Sequence, residues 1–152
     1  MTHIYEDSNG HLWVSTRKSG AFTIQDGQPV AIDDLGQTVQ VIWENSEGLW
    51  AVGLDGVFLL APDDYSIIQS FPTFQGLNVF HHSKTPGGDL LLATSRGLLK
   101  ISGFEVAEVS LPESVGTIKI VYEIKFGTLI LISEQHGLIF HDYQTFLPIG
   151  KH

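Results

Sequence analysis

Two acidic pairs and one histidine pair are the residues of this sequence that resemble metal ligands. Neither Asp33-Asp34 nor Asp63-Asp64 lies in the Asp-x-Asp-x-Asp-Gly loop of a calcium site, and both pairs occupy turn-forming stretches where Asp caps backbone amides. His81-His82 lies in a predicted strand, where adjacent side chains point to opposite faces and cannot chelate one ion. We therefore predict no metal site and no cofactor, with one histidine packed and the other facing solvent.

A set of carboxylates could be arranged for acid–base catalysis. Glu6 and Asp7 lie at the end of a predicted strand, and Glu44 and Glu123 follow at equivalent points later in the chain. These acids occur at the same position in successive copies of a sequence repeat. A structural role at strand ends therefore explains them better than catalysis. The sequence also has no Gly-x-Ser-x-Gly, P-loop, His-Glu-x-x-His or dinucleotide-binding motif. We predict that the chain is not an enzyme.

The pattern that positions these residues is a repeat of about 40 residues. Each copy has a glycine turn, an apolar strand and a closing glycine, and the closing glycines are Gly20, Gly56, Gly97 and Gly137. This period, together with short β-branched and aromatic runs, predicts an all-β propeller with one four-stranded antiparallel blade per repeat. The four predicted blades are residues 1–34, 35–74, 75–115 and 116–152, as part of a larger propeller.

The apolar strands of the repeat are continuous rather than alternating. Leu12-Trp13-Val14, Leu90-Leu91-Leu92 and Leu129-Ile130-Leu131 have this character, which indicates burial on both faces. Trp13 and Trp50 occupy equivalent positions and are expected to pack between sheets, rather than to form a platform for sugar rings.

Composition limits the partners. The 152 residues include 17 acidic and 8 basic side chains, which gives a formal net charge of −9 and disfavours nucleic acid and anionic membrane surfaces. Cysteine is absent, so disulfides and thiolate sites are excluded. The first residues have neither a basic segment nor an apolar core, and we expect no signal peptide in this chain.

The first repeat resembles the two-component regulator propeller repeat. The family's pattern is an acidic pair, a turn ending in Gly, then x-Leu-Trp-(Ile/Val)-Gly-Thr and Gly-Leu with an aromatic residue. It matches Ile4 to Thr16 with Gly20 and Phe22, although Ser15 stands where the family prefers Gly. The second repeat replaces the second acid with Asn45, the third replaces Trp with Leu91, and the fourth keeps only the apolar frame.

The resemblance implies a function and a location. Such repeats build extracytoplasmic sensor regions of bacterial hybrid histidine kinases and related signalling proteins. The expected function is therefore a non-enzymatic, periplasmic, ligand-binding sensor module, with an oligosaccharide or other small molecule as its ligand. Two alternatives stay open, which are a fragment of a propeller lyase or hydrolase and a generic protein-interaction propeller.

The predicted ligand site lies in loops at one mouth of the propeller. In this fold the turns between second and third strands lie there, together with the connections between blades. Basic side chains there would face an anionic ligand, and an aromatic ring would stack on a sugar. The candidate residues are Arg17, Lys18, Asp55, Phe74, Arg96 and His136.

The end blades also predict an assembly. An arc of four blades would expose apolar faces on its first and last sheets, and Leu129 to Ile132 is strongly apolar. Such surface is unusual on a stable monomer. We expect it to be covered by the remaining blades of a longer protein or, for this chain alone, by a second copy in a homodimer.

Overall fold

The computed structural model describes residues 3–125 and 127–142, which form strands joined by tight turns in four antiparallel sheets. Two compact units, Met1–Asn78 and Val79–His152, contain two sheets each. In the first unit, the first sheet is β1 His3–Glu6, β2 Leu12–Ser15, β3 Ala21–Gln25 and β4 Gln28–Ile32, and the second is β5 Val39–Asn45, β6 Gly48–Gly53, β7 Gly56–Leu60 and β8 Ile67–Phe71.

In the second unit, the third sheet is β9 Val79–Lys84, β10 Leu90–Thr94, β11 Gly97–Ser102 and β12 Glu105–Val109, and the described part of the fourth is β13 Ile118–Lys125, β14 Thr128–Ser133 and β15 Gly137–Asp142. Every sheet is a meander, because each strand pairs with the next along the chain. The predicted all-β class is confirmed. The predicted last strand, 145–149, lies outside the described residues.

The central strands differ in how completely they are buried. All six residues of β6 and all five of β10 are buried, as continuous apolar strands predict. In β2, however, Leu12 is 39% exposed while Trp13 is fully buried, and in β14 Ile132 is 38% exposed while Leu131 is fully buried. The expectation of two buried faces is therefore wrong for β2 and β14, each of which has one open face.

Short 3-10 helices precede the next sheet in three places, and the sequence patterns did not predict them. They are Asp33–Leu35, Pro72–Phe74 and Glu113–Val115. The last residue of the first two is buried, Leu35 completely and Phe74 to all but 8% of its surface. Asp33 and Asp34 make no side-chain cap there, whereas Asp64 Oδ1 accepts hydrogen bonds from the backbone and hydroxyl of Ser66, as expected for a turn residue.

A buried carboxylate links the first two sheets. Asp7 is 4% exposed, and its Oδ1 accepts hydrogen bonds from the backbone N–H groups of Asn9 and His11 at 3.0 and 2.9 Å. Its Oδ2 accepts from the indole Nε1 of Trp13 at 3.1 Å and from the hydroxyl of Tyr65 at 3.4 Å. The predicted structural role of this acid is thus borne out by its contacts.

Tyr65 reaches Asp7 from the turn between β7 and β8. Its φ of 61° is in the left-handed region, which is uncommon for a bulky residue and is held here by tertiary contacts. The Tyr65 ring packs edge-on against Trp13, with 4.7 Å between ring centroids, and its hydroxyl also hydrogen-bonds His11 Nδ1. Burial, followed by the charge of Asp7, raises the pKa of Tyr65 to about 12.

Two histidines make the same inter-sheet contact, one in each unit. His3 Nδ1 accepts the backbone N–H of Ile42 at 3.1 Å, and His81 Nδ1 accepts that of Val121 at 3.3 Å. Burial lowers the pKa of both histidines, which favours the neutral ring that this contact requires. His81 and His82 are both partly buried, so the expected division into a packed and a solvent-facing histidine is wrong.

The two equivalent tryptophans differ in hydrogen bonding. Both are fully buried, as predicted, but Trp50 Nε1 has no hydrogen-bond partner among the described residues, whereas Trp13 Nε1 donates to Asp7. Asn45 replaces the second acid of the repeat, and its Oδ1 accepts the backbone N–H of Glu47. The second sheet therefore keeps the packing of the tryptophan without its acceptor.

Trp13→Phe should destabilise the protein more than Trp50→Phe. Both changes remove similar volume, but the first takes a donor away from a buried carboxylate, whereas the second removes an indole N–H that has no partner. We expect the free energies of unfolding to differ by about 1–3 kcal/mol, the cost of an unsatisfied buried group. Urea unfolding measures both variants, and equal losses would contradict the role given to Asp7.

The raised pKa of Tyr65 predicts a loss of stability in alkali. Because the unfolded chain gives up this proton near the ordinary pKa of 10.0 and the folded chain only near 12, stability is retained below pH 10 and lost as pH rises toward 12. Tyr65→Phe should make the free energy of unfolding less dependent on pH in that range.

Candidate ligand-binding depressions

The first unit has a depression beside the end of its first sheet. Its volume is about 240 Å³, and it lies between the β2–β3 turn and the 3-10 helix that follows β4. Lys18 and Ser19 line one side, and Asp33 and Gly36 line the other. The Gly20 N–H donates to the Gln37 carbonyl at 2.7 Å and holds the two sides together.

The second unit has a larger depression, of about 460 Å³, beside the end of its third sheet. Arg96 and Gly97 of the β10–β11 turn line one side. Glu113 and Gly116, which lie at the start of the 3-10 helix and directly after it, line the other. Leucine, valine and proline side chains between them make part of the wall apolar, and Glu108 adds a second carboxylate.

The two depressions occupy the same position in the repeat. Ala21 pairs with Ile32 in the first sheet as Leu98 pairs with Val109 in the third, and these pairs form corresponding walls. In each case the 3-10 helix begins with an acid and ends before a glycine whose N–H bonds back to the carbonyl of that acid. The depression is therefore a product of the repeat rather than an irregularity of one loop.

A turn from the next sheet covers each of these glycines. Gly36 has φ of 80°, and a Cβ there would lie 1.7 Å from the Asp55 carboxylate. Gly116 has φ of 71°, and a Cβ there would lie 2.2 Å from Gln135 Oε1, which accepts the Thr117 N–H. Both positions require glycine for the backbone conformation and for the close approach of the covering side chain.

The charges of the depressions are mixed. The first combines Lys18 with Asp33, and the second combines Arg96 with Glu108 and Glu113. Acids equal or outnumber bases in both, which weakens the case for an anionic ligand. Carboxylates and guanidinium groups beside apolar walls instead suit a neutral ligand that has several hydroxyl groups, since these donate to the acids and accept from the bases.

The structure distributes the predicted site residues over separate places. Lys18 lines the first depression, with Asp55 covering its Gly36, and Arg96 lines the second. Arg17 is exposed in the β2–β3 turn, where its carbonyl accepts the Thr38 hydroxyl.

The other two predicted residues do not line a depression. His136 is exposed in the β14–β15 turn, and its N–H donates to Ser133 Oγ. Phe74 leaves only 8% of its surface exposed, because it is the buried residue of a 3-10 helix, and this leaves little ring surface for a sugar.

Three lining acids were missed as site residues, namely Asp33, Glu108 and Glu113. The available signal was the alignment of Asp33 with Glu113, each three residues before a glycine that follows a predicted outer strand. Among residues 3–125 and 127–142, no group of three or more histidine, aspartate or glutamate side chains is arranged to hold a metal ion. In the same ranges no helix is long and apolar enough to cross a membrane.

A family model matches the start of the chain. The two component regulator propeller model matches residues 1–18, which confirms the resemblance of the first repeat. The sequence has no match among curated proteins.

Solved structures share the fold. The extracellular domain of a protein described as the hybrid two component system BT3049 of Bacteroides thetaiotaomicron aligns with a TM-score of 0.68 and 18% identity, over 95% of this chain and 21% of that one. That of BT4673, described likewise and from the same organism, aligns with a TM-score of 0.64 and 18% identity, over 85% and 19%. The chain thus spans about a fifth of the length of these two structures.

An enzyme also shares the fold. A catalytically inactive virginiamycin B lyase from Staphylococcus aureus, solved with quinupristin, aligns with a TM-score of 0.57 and 16% identity, over 90% of this chain and 53% of that one. The WD40 propeller of Doa1 aligns with a TM-score of 0.62 and 13% identity, over 92% and 49%. The predicted β-propeller fold is confirmed, and likenesses at these identities show the fold alone.

Gly36→Ala should disrupt the first depression. A side chain there meets the Asp55 carboxylate and is strained by positive φ, so we expect a loss of at least about 2 kcal/mol in unfolding free energy. Gly27→Ala is the matched control, because Gly27 has φ of 76° but a Cβ added there would meet nothing within 4 Å. Chemical denaturation compares the two, and equal losses would show that backbone strain alone sets the cost.

Proposed function

We propose that the chain is part of an extracytoplasmic sensor propeller of a bacterial signal-transduction protein, and that it binds a small ligand without transforming it. The observation that carries this proposal is the recurrence of one depression in both units of a chain whose first repeat matches the two-component regulator propeller model. The extracellular domains that share the fold support the same location, periplasmic in the parent protein.

The ligand that suits the depressions is a neutral oligosaccharide. Their mixed charges offer acceptors and donors to hydroxyl groups, and the apolar part of the larger depression offers contact to the C–H face of a sugar ring. At about 460 Å³, the larger depression has the size of a site for a small molecule.

Ligand binding there would act on the joint between repeats. In each unit the depression is bounded by a turn within one sheet and by the connection that leads to the next. A ligand that bridges Arg96 and Glu113 would favour one arrangement of that connection. The ligand can shift a downstream kinase or cyclase only by as much as its affinities for the two arrangements differ.

Calorimetry with a panel of neutral and acidic oligosaccharides tests binding. Arg96→Ala should weaken the binding of a neutral oligosaccharide about tenfold, which is the loss of about 1.4 kcal/mol. Lys84→Ala is the matched control, since this exposed base lies on β9 and lines neither depression.

The panel also separates the alternatives. Binding of acidic glycans in preference to neutral ones would favour the anionic ligand expected from the sequence, with Arg17 and Arg96 as its contacts. No binding by any member would contradict the ligand-binding proposal.

A lyase activity has one observation in its favour, the shared fold of the virginiamycin B lyase. Incubation of the chain with quinupristin, followed by mass spectrometry, tests it directly. Unchanged substrate agrees with the binding function, and enzyme-dependent turnover would replace that function with a catalytic one.

A further inference from the structure

The first sheet has one open apolar face. Ile4 is 62% exposed and Leu12 is 39% exposed, and the strand registers place Val14 and Phe22 in the same row as Ile4. The opposite face of this sheet, which bears Trp13, is packed in the core of the first unit. We call the surface of Ile4, Leu12, Val14 and Phe22 the leading face.

The fourth sheet also has one open apolar face. Phe140 is 65%, Leu138 60%, Tyr122 50% and Ile132 38% exposed. Tyr122 and Phe140 both pair with Ile130, and Leu138 pairs with Ile132, so these residues lie on one side of the sheet. We call this surface the trailing face.

Within each unit the sheets pack by one rule. The face that bears Trp13 packs with Ile42, Leu49 and Leu60 of the second sheet in one core. In the second unit, the corresponding face of the third sheet, with Leu91, packs with Leu129 and other residues of the fourth. We call the face that bears Trp13 or Leu91 the tryptophan-type face, and the face that bears Leu49 or Leu129 the leucine-type face. In both units, the tryptophan-type face of one sheet packs against the leucine-type face of the next.

The two open faces are complementary under this rule. Leu12 aligns with Leu49 and Leu129 in the repeat, so the leading face is of the leucine type and lacks a preceding sheet among the described residues. Ile130 aligns with Trp13 and Leu91, so the trailing face is of the tryptophan type and, in the same part of the chain, lacks a following sheet. The two open faces are therefore of the two types that pack against each other within each unit.

Charge supports the same pairing. In the first unit, Ser8 donates its N–H and hydroxyl to the Glu44 carboxylate at 3.0 and 3.1 Å, across the interface between the sheets. Glu6 of the first sheet aligns with Glu44. Lys125 follows Glu123 by two residues, as Ser8 follows Glu6, and both Glu6 and Lys125 are exposed. A trailing face docked by the rule would therefore bring Lys125 to Glu6.

We propose that the trailing face of one copy of this chain packs against the leading face of a second copy, with Lys125 beside Glu6. The occupant of each face is thus a sheet of the same repeat.

The size of one contact favours the use of both faces. The three described strands of the trailing face, at about 4.8 Å spacing with five residues at about 3.3 Å, give a face of roughly 240 Å², so one contact buries roughly 480 Å² in total. Stable interfaces bury about 1,200–2,000 Å², which two such contacts approach and one does not. A pair of chains that exchanges both faces is therefore the favoured assembly.

Sedimentation of the purified chain at micromolar concentration tests this assembly. We expect a species of twice the 16.7 kDa chain mass. Ile4→Asp blocks the leading face and Phe140→Asp the trailing face, and each variant alone should dissociate at least about tenfold more readily, as expected from the loss of about 1.4 kcal/mol of binding free energy. Their equimolar mixture should associate more readily than either variant alone but less readily than the wild type, because one intact leading face can still meet one intact trailing face. Ile68→Asp, on a similarly exposed side chain of β8, is the control and should leave the assembly unchanged.

Other results would overturn the proposal. A wild-type chain that stays monomeric, Ile4→Asp that assembles as wild type does, or species larger than two chains would each contradict it. If circular dichroism shows that Phe140→Asp lowers the melting temperature, the test uses variants of the charge pair instead. Lys125→Glu and Glu6→Lys should each weaken assembly, and the two changes combined in one chain should restore it. A combined variant as weak as the single ones would exclude the pairing of Lys125 with Glu6.

Discussion

The burial of one carboxylate organises the first unit. Asp7 is 4% exposed and remains charged because four donors, two from its own turn and two from aromatic side chains, offset the loss of hydration. Burial by itself would raise the pKa of Asp7, but hydrogen bonds led by that from the His11 backbone lower it overall. One side chain thereby fixes the β1–β2 turn, the orientation of Trp13 and the approach of Tyr65 from the second sheet.

The sequence predicted the features that local chemistry determines. The glycine turns, the positions of the second strands and the burial of Trp13 and Trp50 follow from residue type and repeat position, and the structure confirms them, although β2 and β14 are buried on one face only. Tyr65 could not be assigned a role in this way, because its contact with Asp7 joins residues far apart in the chain. The burial of Phe74 was missed for a related reason. In the sequence, a phenylalanine between Pro72 and Gly76 resembles an exposed loop residue. In the structure it belongs to a 3-10 helix that buries its side chain.

Of the six residues predicted for a ligand site, Lys18 and Arg96 line the depressions, and the ligand site itself stays a prediction. Lys18 and Arg96 were identified because they lie in turns that a propeller presents at one end of its blades. The acids opposite them lie in connections whose 3-10 geometry the strand pattern does not encode, so the charge balance of the depressions was not apparent. With Asp33, Glu108 and Glu113 included, acids equal or outnumber bases in both depressions, and this balance is the reason for proposing a ligand rich in hydroxyl groups.

The repeats differ in sequence at some positions and agree at others, according to the structural role of each position. Gly36 and Gly116 retain the same backbone conformation, although Asp55 covers the first and Gln135 covers the second. At both positions a side chain from the turn of the next sheet fills the space that a Cβ would occupy. The indole acceptor, by contrast, has been lost at Asn45 while Trp50 remains fully buried. Packing between sheets is therefore the constraint common to all the repeats, and hydrogen bonding is adjusted locally. The same constraint gives the open faces of the first and fourth sheets their significance, because each carries exposed apolar side chains that no described sheet covers.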